Sequence, residues 1–422
     1  MARALPQVLG RIVWPLMVVT LVCLAIYVSS GRLAMRAISA AEPKISEFLS
    51  SLANGDVSIG AIEGEMAGFS PRVQIENLAI RDGNSGEWLN LPLVSIRLDA
   101  WDSLLSGALR FDEVILTKPV FGGQQVSSQQ DQPFPEGLAG FLSGFERLVI
   151  REARLLENPQ AEAQSLLARS LTLDLDMVRE GSRRDLKISI RSDEGVVFAT
   201  EGFGMGDPLD HKKFSGEFYG FVTGSGLGLV AQALGVRLVA EGSADFWLSA
   251  SQETIGIMLQ SDLKNITRLD SNGIVLEGLS FSAALENLSD RPRLWIEDVT
   301  LTHADSEFVL ERAQCGQVDA GWQCRARDLE VSGLKNIVLM SGLLPDKASE
   351  ILATLDPSGR IEAISVETAT LDQPLQTWAA SVVVTDATTQ PYRTVPGLGG
   401  IDASLAANQD GAQAWVLTED FA

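Results

Sequence analysis

Two histidines, His211 and His303, and three cysteines, Cys23, Cys315 and Cys324, are the chain's whole stock of imidazoles and thiols. The histidines lie far apart, and neither has a second ligand at a spacing that zinc uses. General acid–base work by histidine is thinly provided for. Cys315 and Cys324 are separated by the eight residues GQVDAGWQ, which is not the CxxC spacing of redox or zinc chemistry. DLD at 174–176 offers two carboxylates, but both fall on the polar side of an alternating stretch, as on a solvated face. GSGLGLV at 224–230 carries glycines like a phosphate loop, without the lysine or the strand–loop–helix context. Trp101, Trp247 and Trp295 read as packing residues. The expectation is no catalytic residue, no metal ligand and no cofactor. An envelope hydrolase is the weakest functional class.

With so little chemistry, the elements themselves carry the argument. Cys315 and Cys324 sit on the two arms FVLERAQ and RARDLEV, which read as a hairpin. A cross-strand disulfide suits an oxidising compartment; the other reading is two unpaired buried thiols. Strict period-two alternation, one face apolar and one wet, recurs along the chain. It places Leu171, Leu173 and Leu175 on one face of SLTLDLDM, and Leu186, Ile188 and Ile190 on one face of RDLKISIRS. The same holds for Ile255, Ile257 and Leu259, for Leu279 and Phe281, and for Val94, Ile96 and Leu98. Val73 and Ile75 continue the pattern in VSIGAIEGEMAGFSPRVQIENLAIRDG, residues 57–83. Gly, Asn, Asp and Ser punctuate these runs, as in antiparallel meanders.

Helices are few. Ile45, Phe48, Leu49 and Leu52 fall at i, i+3, i+4 and i+7, one face of an amphipathic helix over 43–54 that caps the sheet edge. GLGLVAQALG at 226–235 and LLPDKASEILATLDPSG are further short helices. Either a two-sheet sandwich or one long curved sheet could bury so much alternating strand.

Residues 12–30, IVWPLMVVTLVCLAIYVSS, carry no charge over a length of about 28 Å as a helix, close to the ~30 Å hydrocarbon core. Pro15 is placed near the start of that helix, and Trp14 and Tyr27 near its ends. A signal peptide has a shorter apolar core and a nearby small-residue cleavage site. The best such site, around Ser39–Ala41, lies far beyond Ser30 and follows two arginines, so a permanent anchor is expected. Residues 1–11 form a cytoplasmic tail on this reading, and the large acidic body is exported. The net charge of −22 and pI near 4.5 argue against nucleic acid as a partner. At 422 residues the chain has two or three domains or one elongated repetitive structure. QQVSSQQDQPFPEG, 124–137, reads as a linker between a first β unit at 55–123 and further units over 138–422.

The order of these segments resembles the YhdP branch of the AsmA-like family, in its N-terminal region. The marks are IEGEMAGFSPRVQIENLAI, LDAWDSLLSGALRFDEVIL, LLPDKASEILATLDPSGRIEAISV and YRTVPGLGGIDASLAANQDG. The resemblance spans most of the chain. Family members are usually longer and this sequence stops at VLTEDFA in strand-like residues, which reads as a fragment or a truncated form. The resemblance implies a bridge-like lipid transfer protein, anchored in the bacterial inner membrane with its body in the periplasm. It implies a mainly β fold: an elongated, curved antiparallel sheet forming a hydrophobic groove. Phospholipid would pass between inner and outer membranes in that groove, with outer-membrane or periplasmic proteins as further partners. The alternating residues named above, Val73 through Phe281, would line it. The alternative is a membrane-anchored periplasmic scaffold that affects envelope or outer-membrane protein assembly without carrying lipid.

Overall fold

The computed structural model describes residues 5–53, 56–82, 86–106, 110–121, 145–155, 171–206, 214–233, 238–251, 254–268, 275–287, 291–303, 306–318, 321–341, 346–369, 377–393 and 396–418. The linker expected at 124–137 and His211 lie outside them. The chain is mainly β, with a few short helices and one long N-terminal helix. It divides into two compact units, Met1–Gly195 and Val196–Ala422.

The first unit opens with α1, Leu5–Arg36, a 3₁₀ turn, Ile38–Ala41, and α2, Glu42–Ala53. Strands β1 (Asp56–Ser58), β2 (Ala61–Ala67), β3 (Ser70–Asp82) and β4 (Gly86–Leu98) follow. Then come α3 (Ala100–Ser106), β5 (Phe111–Thr117), β6 (Val120–Phe121), β7 (Arg147–Leu155), β8 (Leu171–Glu180) and β9 (Arg183–Ser192). α1 is longer than its uncharged run, so Pro15 lies in the helix interior and not near its start. There its ring removes one backbone hydrogen bond of the helix. Residues 16–36 of α1 are long and apolar enough to cross a membrane, and most of their surface is exposed.

The strands pair antiparallel, with one correction to the expected pattern. β5 and β6 both pair parallel to β7, Glu113 opposite Arg147 and Val120 opposite Arg154. The reason is that β7 starts at the same end of the sheet as β5, so the connection between them is a crossover and not a hairpin. α3 begins on a side-chain cap: Oδ1 of Asp99 accepts from the backbone N–H groups of Trp101 and Asp102, each at 2.9 Å. Trp101 is a second correction: it is 70% exposed and does not pack in a core. It stands on the outward side of this short helix.

The second unit contains β10 (from the unit boundary, Gly195–Met205), β11 (Ser215–Thr223), α4 (Gly224–Ala233), β12 (Leu238–Ala250) and β13 (Ile255–Arg268). It continues with β14 (Val275–Glu286), β15 (Arg293–His303), β16 (Ser306–Val318) and β17 (Gly321–Glu330). α5 (Val331–Ser341), α6 (Asp346–Leu355), β18 (Ser358–Thr368), β19 (Trp378–Thr389), β20 (Leu398–Asn408) and β21 (Gly411–Val416) complete it. β10 to β21 form an unbroken antiparallel meander, each strand paired with the next. Among the described residues of each unit, strands touch substantially only as ladder neighbours, so each unit is a single sheet and not a sandwich.

A local device keeps apolar residues on one face of these strands. Leu263 and Ile266 belong to one buried cluster although they are three residues apart. Between them Asn265 adopts φ 50°, and the ladder slips there. Ile75, Asn77 and Leu78 repeat the arrangement, as do Ala326, Asp328 and Leu329, and Val384, Asp386 and Ala387. A residue in the left-handed conformation resets the alternation, and Asn and Asp tolerate that conformation best after Gly.

Candidate functional site

Cross-strand register shows which of the alternating residues share a face. In the first unit Ile75 lies opposite Val94 and Val73 opposite Ile96. Val94 and Ile96 in turn face Leu116 and Val114, and those face Ile150 and Leu148 across the parallel pairing. Ile150 leads to Leu175 and Leu175 to Ile188; Leu173 lies opposite Ile190 and Met177 opposite Leu186. Leu171 pairs with Leu155, and Leu98 with Phe111. The expected residues are thus joined into one apolar face by Val114, Leu116, Leu148 and Ile150. Sequence reasoning missed these four, because DEVILT and RLVIR hold consecutive apolar residues and show no clean alternation.

The two ends of this face differ. Val73, Ile75 and Val94 are buried, with Met35, Ile38, Ile45 and Leu49 packed against their cluster. The end of α1, the 3₁₀ turn and α2 therefore cover the first strands. Two serines tie α2 to β1: Ser46 Oγ donates to the Val57 carbonyl at 2.8 Å, and the Val57 N–H donates to Ser50 Oγ at 3.2 Å. The side chains of Phe48 and Leu52 lie outside the described residues. Leu171, Leu173, Leu175, Leu186, Ile188 and Ile190 are half-buried.

The second unit repeats the pattern. Leu248, Ile257, Leu285 and Leu294 form one registered row; it continues through Cys315, Cys324, Val366 and Ala380. A neighbouring row runs Phe246, Leu259, Ala283, Ile296, Ala313, Ala326, Ile364 and Val382. Ile255 faces Ala250, Leu279 faces Leu263 and Phe281 faces Ser261. Cys315 and Cys324 are directly opposed and disulfide-bonded, so the bridge lies within an apolar row. α4 and α5 cover only one end of these rows: Leu227 packs on Ala240, Leu263 and Ile266, and Val331, Leu334 and Ile337 pack on the cluster of Phe308, Leu329 and Ile361.

The opposite face is mostly charged or polar. In the first unit Arg97 Nε donates to Asp112 at 2.6 Å, Arg97 and Arg147 flank Glu113, and Arg147 pairs with Asp176 at 2.9 Å. The hydrogen bond to Asp176 is the main influence that raises the pKa of Arg147. Asp174 receives the Glu152 N–H at 2.9 Å and pairs with Arg191. The DLD carboxylates are thus engaged in strand-to-strand pairing. In the second unit Tyr219, Trp247 and Met258 interrupt the polar face, the two rings 5.3 Å apart.

Two other chemical readings find a structural account. Gly224 and Gly226 start α4, whose Gly226 N–H donates to Thr223 Oγ1 at 3.3 Å. A Cβ on Gly224 would lie 2.1 Å from the Ala240 carbonyl oxygen, and one on Gly226 would lie 2.3 Å from that of Val197. These glycines serve close helix–strand packing. Asp99, Asp102 and Glu146 bring carboxylate oxygens within 4.8 Å of one another, a grouping the sequence did not signal because Glu146 is remote in the chain. Partial desolvation first, then Asp112, Asp99 and Asp102, raise the pKa of Glu146 above 4.5, although the side chain is exposed.

No curated protein and no solved structure matches the chain significantly. The family model described as YhdP protein matches residues 1–422. An exposed apolar helix ahead of open single-layer β units fits a membrane-anchored envelope protein. The chain belongs to the YhdP family.

Proposed function

We propose that the chain is a non-enzymatic, inner-membrane-anchored periplasmic protein that shields phospholipid acyl chains on the apolar face of its β units, for transport between inner and outer membranes. The observation that carries the reading is the registered apolar row within each unit, backed by a charged face. A phospholipid in water exposes its tails at about 0.8 kcal/mol per CH₂. A sheet that is apolar on one side covers the tails while the headgroup stays hydrated. This needs no nucleophile, metal or cofactor. Family membership supports the envelope location. On this reading Leu116, Ile150 and the half-buried residues named from the sequence line the accessible surface, while Val73, Ile75 and Val94 beneath α1 and α2, and Val114 and Leu148 against Phe145, form its closed end.

The test is site-specific photo-crosslinking in the full chain, in its membrane. A benzophenone side chain at Leu175 or Leu259 is expected to capture phospholipid. The same group at Asp176 or Gln260, on the other face, is expected to capture none. Leu173→Asp with Ile188→Asp should abolish capture at Leu175. Equal capture on both faces, or none at Leu175 and Leu259 while Leu21 in α1 captures lipid, would exclude the lipid reading and leave a protein scaffold.

A further inference from the structure

α1 and the β2–β3 hairpin run side by side. Tyr27, Gly31 and Met35 recur every four residues, one stripe of the helix. Tyr27 Oη donates to the Phe69 carbonyl oxygen at 2.9 Å. A Cβ on Gly31 would sit 2.8 Å from Met66 Sδ, and one on Gly64 would sit 2.5 Å from the Met35 carbonyl oxygen. Helix and strand therefore touch through glycine on both sides. The direction of the contact matters. As β2 runs from Gly64 to Met66 and on to the turn, it passes Met35, then Gly31, then Tyr27, moving back along the apolar run of α1. Arg32 is the first charge after that run. The Tyr27–Phe69 contact lies about 7 Å on the apolar side of it, at a helical rise of ~1.5 Å per residue.

The turn suits a lipid environment. Residues 66–71, Met-Ala-Gly-Phe-Ser-Pro, carry no charge. An ion pair between Glu65 and Arg72, at 3.3 Å, follows directly behind them. Gly68, at φ 66°, is the first of two central turn residues, and Phe69, the second, is 58% exposed. A two-residue turn leaves the second residue's carbonyl without a ladder partner. Away from water that group needs a donor, and Tyr27 supplies it.

A second observation lies at the same end of the sheet. Arg72 is opposite Arg97, so the end of β4 and the start of α3 stand beside this turn. There Trp101 and Leu105, at i and i+4, are each 70% exposed. Exposed Trp beside an apolar tip is the composition of a membrane–water boundary. Asp99, Asp102 and Glu146 gather near the start of α3, with Asp102 and Glu146 exposed.

We propose that the Gly68–Phe69 turn enters the lipid layer beside α1, in the bilayer that α1 crosses, with Trp101 and Leu105 at the boundary. The proposal rests on α1 being a membrane span. The first hairpin of the sheet then starts within the bilayer and not above it.

The test is spin-label accessibility in the full chain reconstituted in phosphatidylethanolamine/phosphatidylglycerol nanodiscs. The background is Cys23→Ser, the only free thiol among the described residues. Single labels are placed through Phe69→Cys, Leu21→Cys and Ser182→Cys, the last on the exposed β8–β9 turn. Oxygen should relax the Phe69 and Leu21 labels more than a water-soluble nickel chelate does, and the order should reverse at Ser182. A Phe69 label with the Ser182 order, while Leu21 is lipid-buried, overturns the proposal. A Leu21 label that is itself water-accessible defeats the span on which the proposal rests, a distinct result.

Discussion

Glu113 and Arg147 face each other in register across the parallel β5–β7 pairing, 3.5 Å apart, with Arg97 at 3.6 Å on the other side of the same carboxylate. The Glu113 side chain is only 11% exposed. It is the anion that offsets two arginines where β5 pairs parallel with β7. Removing it leaves both guanidiniums without their shared partner, although Asp112 and Asp176 still hold them. Glu113→Ala should destabilise the first unit by about 1–3 kcal/mol. Arg147→Ala should cost less, because its side chain is largely solvated. Thermal unfolding of both variants and of the double variant gives the coupling energy. A coupling of zero would show that the pair contributes nothing to the junction.

Glu146 makes a pH prediction. Its folded-state pKa is raised, first by partial desolvation and then by Asp112, Asp99 and Asp102, although its side chain is exposed. A carboxyl with a raised folded-state pKa holds its proton more tightly when folded. Its contribution to stability is therefore present below the unfolded value near 4.5 and is lost as pH rises through the folded value. Glu146→Gln keeps the neutral form at every pH. It should raise the melting temperature at pH 7 and leave it nearly unchanged at pH 4. Equal effects at both pH values would assign the change to packing and not to charge.

The bulges test how the apolar face is kept in phase. Asn265 stands at φ 50° between buried Leu263 and Ile266, and its side-chain amide donates to Glu241 at 2.9 Å. Asn265→Val places a β-branched residue in a left-handed conformation, at a cost of about 1–2 kcal/mol. Asn265→Gly should cost much less, since glycine adopts that conformation freely. Denaturant unfolding distinguishes the two. Equal losses would mean that the Glu241 hydrogen bond matters and the backbone conformation does not.

These bulges also explain what the sequence could and could not convey. Runs with unbroken alternation, such as Leu171 to Met177 and Leu186 to Ile190, were legible because period two needs no knowledge of partners. Where Asn or Asp resets the phase, as at Asp298 and Asp386, alternation fails locally and the same apolar face is hidden. α5 was missed because VSGLKNIVLMS holds a glycine and three β-branched residues and lacks a capping signature, and its packing on Phe308 and Leu329 supports the helix. The parallel β5–β7 pairing had no local signal at all, because strand direction depends on where a remote segment returns. The long apolar helix was readable from length and charge alone. The tight approach of α1 to the β2–β3 hairpin was not, since a glycine in a helix and one in a strand do not announce that they meet.

The disulfide yields the last prediction. Cys315 and Cys324 close a loop of nine residues' separation between β16 and β17, in the middle of an apolar row. On the chain-entropy model a loop of that length stabilises by about 2–3 kcal/mol, by restricting the unfolded chain. The backbone pairing of β16 with β17 does not depend on it, because six further registered pairs flank the cysteines. Cys315→Ala with Cys324→Ala should therefore lower the stability of the second unit while preserving the hydrogen-exchange pattern of β16 and β17. If the ladder loses protection from Arg312 to Val318 in that variant, the bridge sets the register and not only the stability. Alanine at both positions also keeps the row apolar, so lipid capture at Leu259 should persist. Its loss in a variant whose strands stay protected would make the disulfide part of the proposed lipid-binding surface itself.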